Sequence, residues 1–491
     1  MPTAMELDAP GSHSIAFQEE PKATGRRQVS SEQLSPCRLF LFQKGFAVLG
    51  DYTRRVLDNG LCVIGVENPA LHSFACDVRV HAGPRFEPRE HAGLTHFLEH
   101  MIHQGSEHYP DSNTIVRAVE DLGGVIDAVT HAESMEVSLG LHRKHWRKGL
   151  GILMDVLLHP LFDETEVEQE KGIVAQEIAE YRDEQQRNIC ASELAYSLMF
   201  KEELDELGTR GSVAMIQSFD SSLVRSYYER FFTPQNMVIS LAGAFDFDEV
   251  FDELAQYLGE MPAGQGTPQL LHSEVRRRRA RAVFRVTERI PVVDVELCHH
   301  AFGLGDDRFD TARAAAHILG GGLSSRLFSE VRERRGLVYE IMSYAQGYSD
   351  AGSVDTALSV DANNLPDALA ATLEVVAEFR EGGACAEELE RYKESIRCGM
   401  EIMCDQPHRL ADWFGRQELL LRPERLVTPQ QYVARHEALT VDGLLEVTRQ
   451  VLANSESNIA VVGPFDHADV GRLRELFPAE EPANGQVTGG Q

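Results

Sequence analysis

Between His91 and Ser106 the chain reads H-A-G-L-T-H-F-L-E-H-M-I-H-Q-G-S. On a helix, positions i and i+4 lie one above the other, so the imidazoles of His96 and His100 can grip one metal ion. Glu99, at i+3 from His96, points to the same side, beside any water held there. The order H-x-x-E-H reverses the commoner H-E-x-x-H zinc motif. Zinc suits nitrogen and oxygen donors in tetrahedral geometry, and a catalytic zinc keeps one position open. With 19 His and 77 acids in 491 residues, chance supplies about 0.1 such matches per chain, so the motif is suggestive alone. Leu94, Phe97, Leu98 and Met101 give the segment a strong apolar side. A helix buried by that side needs partners for its imidazoles and carboxylate.

A third donor has to come from elsewhere, and Glu177 is the best candidate. It sits in a predicted helix, D-E-T-E-V-E-Q-E-K-G-I-V-A-Q-E-I-A-E-Y. Asp163 is placed to cap it, with Glu166 at the capping-box position, and Ile173, Val174 and Ile178 form its apolar side. Glu170 and Glu177 are seven apart and share a face, so one can ligate metal while the other holds an imidazole from behind.

H-F-L-E-H followed, after 76 intervening residues, by the Glu of V-A-Q-E-I resembles the pitrilysin-like (insulinase, mitochondrial-processing-peptidase) zinc metallopeptidases. The likeness runs from about Tyr52 to Phe477. It implies His96, His100 and Glu177 as ligands of one Zn2+, Glu99 as general base and Glu170 as a supporting carboxylate.

The chain exceeds the usual single-core size, so two or more domains are expected. Its net charge of −30 argues against nucleic acid or an anionic membrane as main partner. Eight scattered cysteines, with no C-x-x-C, read as reduced thiols in a cytoplasmic protein. Residues 1–36 are polar, carry no secretory signal and read as disordered; 37–50 read as a lead-in, and the run from Cys37 is too short to span a bilayer.

Regular structure is predicted from Tyr52. Strands over Arg54–Leu57 and Leu61–Val66 flank the turn Asp58-Asn59-Gly60, and another covers Phe74–Val80. A helix over Ser112–Leu122, strands over Val125–Thr130 and Met135–Leu141, and a helix over Trp146–Leu157 follow. Residues 192–232 read as mostly helical, and Met237–Ala242 as a strand ending in Gly243. Gly and Pro between 262 and 268 mark a linker. Arg276–Arg279, four arginines in a row, precede an alternating strand, Ala282–Val286, and read as a solvated edge or ion-paired face.

The halves look duplicated. Asn236…Gly243-Ala-Phe-Asp246 recurs as Asn458…Gly463-Pro-Phe-Asp466, evidence for two domains of one fold. The second half carries no H-x-x-E-H; its nearest counterpart is Arg313–His317, where only His317 survives. The expected fold is therefore α+β: two homologous domains, each a mixed sheet packed with helices. The segments are 1–50 as extension, 51–262 as metal-binding domain, 263–275 as linker, 276–480 as metal-free domain and 481–491 as tail.

The run G-G-G-L-S-S-R-L-F leading to R-E-R-R-G-L-V-Y resembles the mark of the family's second domain. The match implies that Arg332 and Tyr339 reach the substrate at the zinc, where a cation and a phenol can steady a developing oxyanion. The family strand beside the zinc reads Asn-Ala-x-Thr and pairs with substrate backbone. Here it reads Asp127-Ala128-Val129-Thr130, so an amide donor becomes an acceptor and subsite preference changes. The resemblance implies an endopeptidase acting on peptides or unfolded segments inside a closed chamber, in a processing, scavenging or maturation role. Family chambers use four related domains and this chain has two, so a homodimer is expected, with an unlike silent partner as the alternative. The rival readings are a non-proteolytic subunit of the same fold and a binding protein with a structural zinc.

Overall fold

The computed structural model describes residues 52–199, 208–266, 268–271, 280–421, 425–453 and 457–478. The expectations for 1–50, Arg276–Arg279, 481–491 and much of the 263–275 linker lie outside these residues.

The predicted hairpin opens the first sheet. β1 (Thr53–Val56) and β2 (Cys62–Glu67) pair antiparallel around Gly60, whose φ of 93° suits a turn closed by a glycine. The sheet is completed by β3 (Ser73–Val80), β4 (Val125–Thr130), β5 (Met135–His142) and β6 (Met237–Gly243), in the order β1-β2-β6-β3-β5-β4. A second sheet holds β7 (Arg281–Val286), β8 (Val293–Ala301), β9 (Glu340–Gly347), β10 (Gly352–Val360) and β11 (Ser457–Gly463), in the order β7-β11-β8-β10-β9. Leaving out β1, the two orders are the same permutation. β2 runs parallel to β6 as β7 does to β11, and the remaining neighbours are antiparallel in both.

The repeated Gly-x-Phe-Asp has a physical basis. Gly243 (φ 119°) ends β6 where a Cβ would lie 2.3 Å from the Ser73 carbonyl, and Gly463 (φ 148°) ends β11 in the equivalent place. Asp246 and Asp466 then cap the helices Phe247–Leu258 and His467–Leu476, accepting from Glu249 N (3.0 Å) and Ala468 N (2.8 Å).

β3 and β6 are buried almost throughout and do not alternate, because helices cover both faces of each sheet. One of those helices is exchanged between the halves. Pro407–Leu420, from the second half, lays Leu410, Ala411 and Phe414 on Ile64, Ala75, Val238 and Ala242 of the first sheet. Ala191–Ser197, from the first half, lays Ala191, Leu194 and Ala195 on Val283, Ala460 and Val462 of the second. Of the two, only Ala191–Ser197, largely within the stretch 192–232, is expected from the sequence, and local apolar patterning does not say which sheet receives it.

Two local expectations need correction. Ile173 is 53 % exposed; the buried face of Glu164–Glu180 is Val167, Glu170, Lys171, Val174 and Ile178, one step round the helix. Asp163 does cap this helix, accepting from Thr165 N at 2.8 Å, but Glu166 closes no capping box and serves only as a first-turn acid. Within 192–232 the described helices are Ala191–Ser197, Val213–Ser218 and Ser221–Phe231. Among the described residues no helix is long and apolar enough to cross a membrane.

Candidate metal centre

The histidine helix, Leu94–Ile102, starts abruptly after Gly93, which is left-handed at φ 91°. Its first N–H groups are satisfied by a side chain rather than a preceding turn. Glu87 accepts from Gly93 N (2.8 Å) and Thr95 N (2.6 Å), a carboxylate at the positive end of the helix. Burial pushes this carboxyl up to about 7, against the pull of the Thr95 and Gly93 bonds. Leu94, Phe97, Leu98, Met101 and Ile102 enter the core. That leaves His96 and His100 on the opposite face, ring centroids 4.8 Å apart.

Glu164–Glu180 crosses this face and brings both its predicted glutamates. Glu177 Oε2 lies 3.5 Å from His96 Nε2 and 3.4 Å from His100 Nε2, and the three atoms all fall within 4.8 Å of one another. Around a tetrahedral zinc with bonds near 2.0–2.1 Å, neighbouring donors stand about 3.3–3.4 Å apart. These separations are too long for hydrogen bonding of the two imidazoles to Glu177 at its best and right for an ion between them. The donor set, two nitrogens and one oxygen, is also the one zinc accepts.

Glu170, 4 % exposed, stands behind the pair. Its Oε1 is 2.7 Å from His100 Nδ1, and Gln104 Nε2 donates to its Oε2 at 2.9 Å. A carboxylate can only accept, so Nδ1 of His100 carries the hydrogen and Nε2 is the donor left for a metal. Burial alone would lower the His100 pKa, but Glu170 and Glu177 outweigh it and hold it near 9. Burial would raise Glu177; the nearby His100 and His96 imidazoles and the Arg210 guanidinium hold it well below the usual carboxylate range. His96, His100 and Glu177 would hold a cation between these three atoms, and metal binding there would be coupled to loss of a proton. His96 Nδ1 is buried without a hydrogen-bond partner among the described residues.

Glu99 is half-buried on the same helix and makes no described hydrogen bond or ion pair. β4 is an edge strand packed beside the histidine helix. On it Asp127 is exposed, and its Oδ1 accepts the N–H of Ala128 at 3.0 Å.

Arg332 and Tyr339 are not brought to the centre. Arg332 is exposed on a π-helical turn, Phe328–Arg334, its guanidinium 4.8 Å from the Phe328 ring. Tyr339 is 54 % exposed at the start of edge strand β9. Among the described residues no hydrogen bond, ion pair or ring contact joins either to His96, Glu99, His100 or Glu177.

Sequence reading missed Gln104 and Arg210. Arg210 donates to Glu177 Oε1 at 2.7 Å from a turn between two glycines, and Gly208-Thr-Arg-Gly211 was the available signal. It also missed the buried Arg85, which pairs with Glu133 and with Asp350 (2.8 Å) and so joins the turn after β4 to the β9–β10 hairpin. A second group of acids, Asp77, Glu136 and Asp412, is no metal site here, because the Arg79 guanidinium occupies its middle.

The chain is similar to known proteins over most of its length. The insulinase (peptidase family M16) description matches residues 62–205, and the peptidase M16 inactive domain matches 218–396. A Bacillus subtilis protein described as an uncharacterized zinc protease is 27 % identical over 420 residues, covering 84 % of this chain and 98 % of that protein. A Streptomyces coelicolor protein of the same description is 27 % identical over 466 residues, covering 92 % and 98 %. Among solved structures, a protease from Helicobacter pylori superposes with a TM-score of 0.78 at 17 % identity, covering 85 % of this chain and all of that one.

Proposed function

The chain belongs to the M16 (insulinase) family of peptidases, and from that premise we propose that it is a zinc-dependent endopeptidase cutting peptides or unfolded segments. The observation that carries this reading is the placing of His96 Nε2 and His100 Nε2 at 3.5 and 3.4 Å from Glu177 Oε2, with Glu99 on the same helix as the two histidines. The naming of relatives as zinc proteases supports the choice of metal.

His96, His100 and Glu177 hold the ion, and Glu170 fixes the His100 ring. Zinc supplies positive charge that polarises the scissile carbonyl and acidifies a water. The Glu99 carboxylate takes a proton from the attacking water and returns it to the leaving nitrogen. The free edge of β4, at Asp127 and Ala128, pairs with the peptide backbone. With Asp127 already holding the Ala128 N–H, the strand offers the peptide one donor fewer.

Arg332 and Tyr339 donate to the carbonyl oxygen as it gains charge. Both are exposed and apart from the metal centre, which favours a second copy of the chain bringing them in, two-fold dimers being the commonest closed assemblies. The seven described cysteines are unpaired, which supports a cytoplasmic setting. A second reading, a catalytically silent subunit that partners an unlike chain, draws support from the inactive-domain match over 218–396.

Glu99→Gln separates the two. Purified protein assayed on a peptide library is expected to lose 10²–10⁴-fold in turnover with its zinc content unchanged. Equal turnover before and after the change removes Glu99 as base, and absence of turnover in both favours the silent subunit.

A further inference from the structure

We propose that Arg210 is a positioning residue that holds Glu177 to one-oxygen ligation and ties the metal centre to the helix exchanged onto the second sheet. The proposal rests on Glu177 being a metal ligand.

A carboxylate can bind a metal through one oxygen or two, and Glu177 has its two oxygens engaged differently. Oε2 faces His96 and His100, whereas Oε1 accepts from Arg210 Nε at 2.7 Å. The other end of the same guanidinium donates through NH1 to Glu193 Oε1 at 2.8 Å. Glu193 belongs to Ala191–Ser197, the helix lying on β8 and β11, and Asn188 Nδ2 fixes its second oxygen at 2.9 Å. The flat face of the guanidinium lies 4.0 Å from the Tyr181 ring centroid. Fork, stack and two carboxylates together set the plane of Arg210, which a lysine cannot reproduce.

The backbone is built to bring this arginine in. Gly211 (φ 71°) has no room for a side chain, because a Cβ would lie 2.1 Å from the Ala92 carbonyl. Gly93 faces it, and a Cβ there would lie 2.4 Å from the Arg210 carbonyl. Two glycines back to back thus press the Arg210 turn onto the first turn of the histidine helix. Arg182 NH2 secures it from the other side by donating to Gly211 O at 2.8 Å. An ordinary surface ion pair contributes little to stability and calls for no such seat. Here the Arg210 and Glu193 side chains are each only 17 % exposed.

Two effects of Arg210 on zinc oppose each other. Its charge repels the cation, and its orienting bond favours binding; partners of this kind are worth 10–100-fold in metal affinity. Competition against a chromophoric chelator, and visible spectra of the Co2+-substituted full-length protein, measure both. We expect Arg210→Ala to bind zinc at least tenfold more weakly. With Oε1 free to swing onto the ion, coordination number rises and the Co2+ absorption weakens. Arg210→Lys keeps the repelling charge without the fork, so the spectrum changes and affinity falls at least as far as in Arg210→Ala, and Glu193→Ala shifts both in the same direction by less. An unchanged Co2+ spectrum together with zinc affinity within twofold of the parent, in both Arg210 variants, overturns the proposal. If Arg210→Ala fails to fold, Arg210→Lys decides by the same criteria. Glu177→Gln, run alongside, distinguishes the levels: full zinc retention there removes the ligand itself, whereas loss of zinc there with normal Arg210 variants removes only the positioning role.

Discussion

The histidine helix follows β3 in the first sheet, and Phe309–Gly320 follows β8 in the second, at the same step of the same topology. What the two present is different. The first offers His96 and His100 at i and i+4 to the carboxylates of Glu170 and Glu177. The second offers Arg313 and His317, also at i and i+4. Arg313 donates to Tyr432 Oη at 2.6 Å, and the His317 ring packs 5.2 Å from Tyr392. Tyr392 in turn meets His436, whose ring lies 4.1 Å from that of Tyr432 at a tilt of 41°. A guanidinium brings its own charge and has no lone pair to offer, and aromatic rings fill the space. A metal centre requires donors to converge while leaving their meeting point open, and one half of this molecule does so while the other has closed it.

The sharpest way to break that comparison is to measure metal in matched variants. Glu177→Gln in the first half should remove most bound zinc after dialysis. His317→Leu in the second should leave it at one per chain, with only a change in melting temperature. Near-stoichiometric zinc in the first variant, or zinc loss in the second, would show that the halves had been read the wrong way round.

The exchanged helices also differ. Ala191–Ser197 meets the second sheet largely through apolar side chains. Pro407–Leu420 meets the first around Arg79, 2 % exposed, whose guanidinium bonds Asp77 (3.1 Å), Glu136 and Asp412 together. Gly415 allows the approach, its Cα facing Ser240 and Asp77. Removing one side of a buried ion network leaves the other uncompensated, at about 3–5 kcal/mol. Arg79→Met should therefore lower unfolding stability in urea by that order. A loss under 1 kcal/mol would mean that apolar packing alone holds this helix, as on the other sheet.

Much of this was legible in the sequence, and the limits have a physical cause. The candidate metal donors lie on two helices, and periodicity within each puts His96 with His100 and Glu170 with Glu177 on one face, though it does not say that the two faces meet. The duplicated topology shows itself through Gly243 and Gly463, whose backbone angles demand glycine. Ile173 departs from its expected place because the helix turns Lys171 and Glu170 inward, against the usual preference for apolar burial. Arg79 with Asp412, and Glu133 with Ser349, are separated by 333 and 216 residues, and no local pattern encodes such pairings. Arg210 escapes sequence reading for a subtler reason: its glycine-flanked turn looks like an ordinary loop, and only the fold presses Ala92 and Gly93 against it.

What the second half contributes to chemistry can be tested by mixing chains. Tyr339→Phe with Arg332→Ala is expected to cost roughly a hundredfold in turnover, about 2.7 kcal/mol, while zinc content stays normal. A Glu99→Gln chain is inactive for the opposite reason. If two copies complete one site, mixing and re-equilibrating the two inactive proteins should restore part of the activity, because some dimers then carry one intact site. No recovery, in a mixture that light scattering shows to have exchanged subunits, would return the pair to its own chain or to the protein surface.

The smallest effect concerns the buried acids of the second sheet. Glu296 on β8 lines a cavity of about 330 Å³ together with Glu180, Asp294 and Glu340. Among the described residues its hydrogen-bond partner is Tyr344 Oη, which donates at 2.8 Å, where Asp77 has the Arg79 guanidinium. Burial and the neighbouring Asp355 push its carboxyl up to about 8, which the Tyr344 bond only partly offsets. In the unfolded chain the same group ionises near its ordinary value of about 4.3. Between those two values the folded state binds more protons than the unfolded one, so stability falls as pH rises and levels off above the folded value. Glu296→Gln keeps an acceptor for Tyr344 and abolishes the titration. The parent should lose melting temperature between pH 6 and pH 8.5 more steeply than the variant, the gap reaching on the order of 1 kcal/mol at the alkaline end. Parallel curves would mean that Glu296 is already ionised in the folded protein.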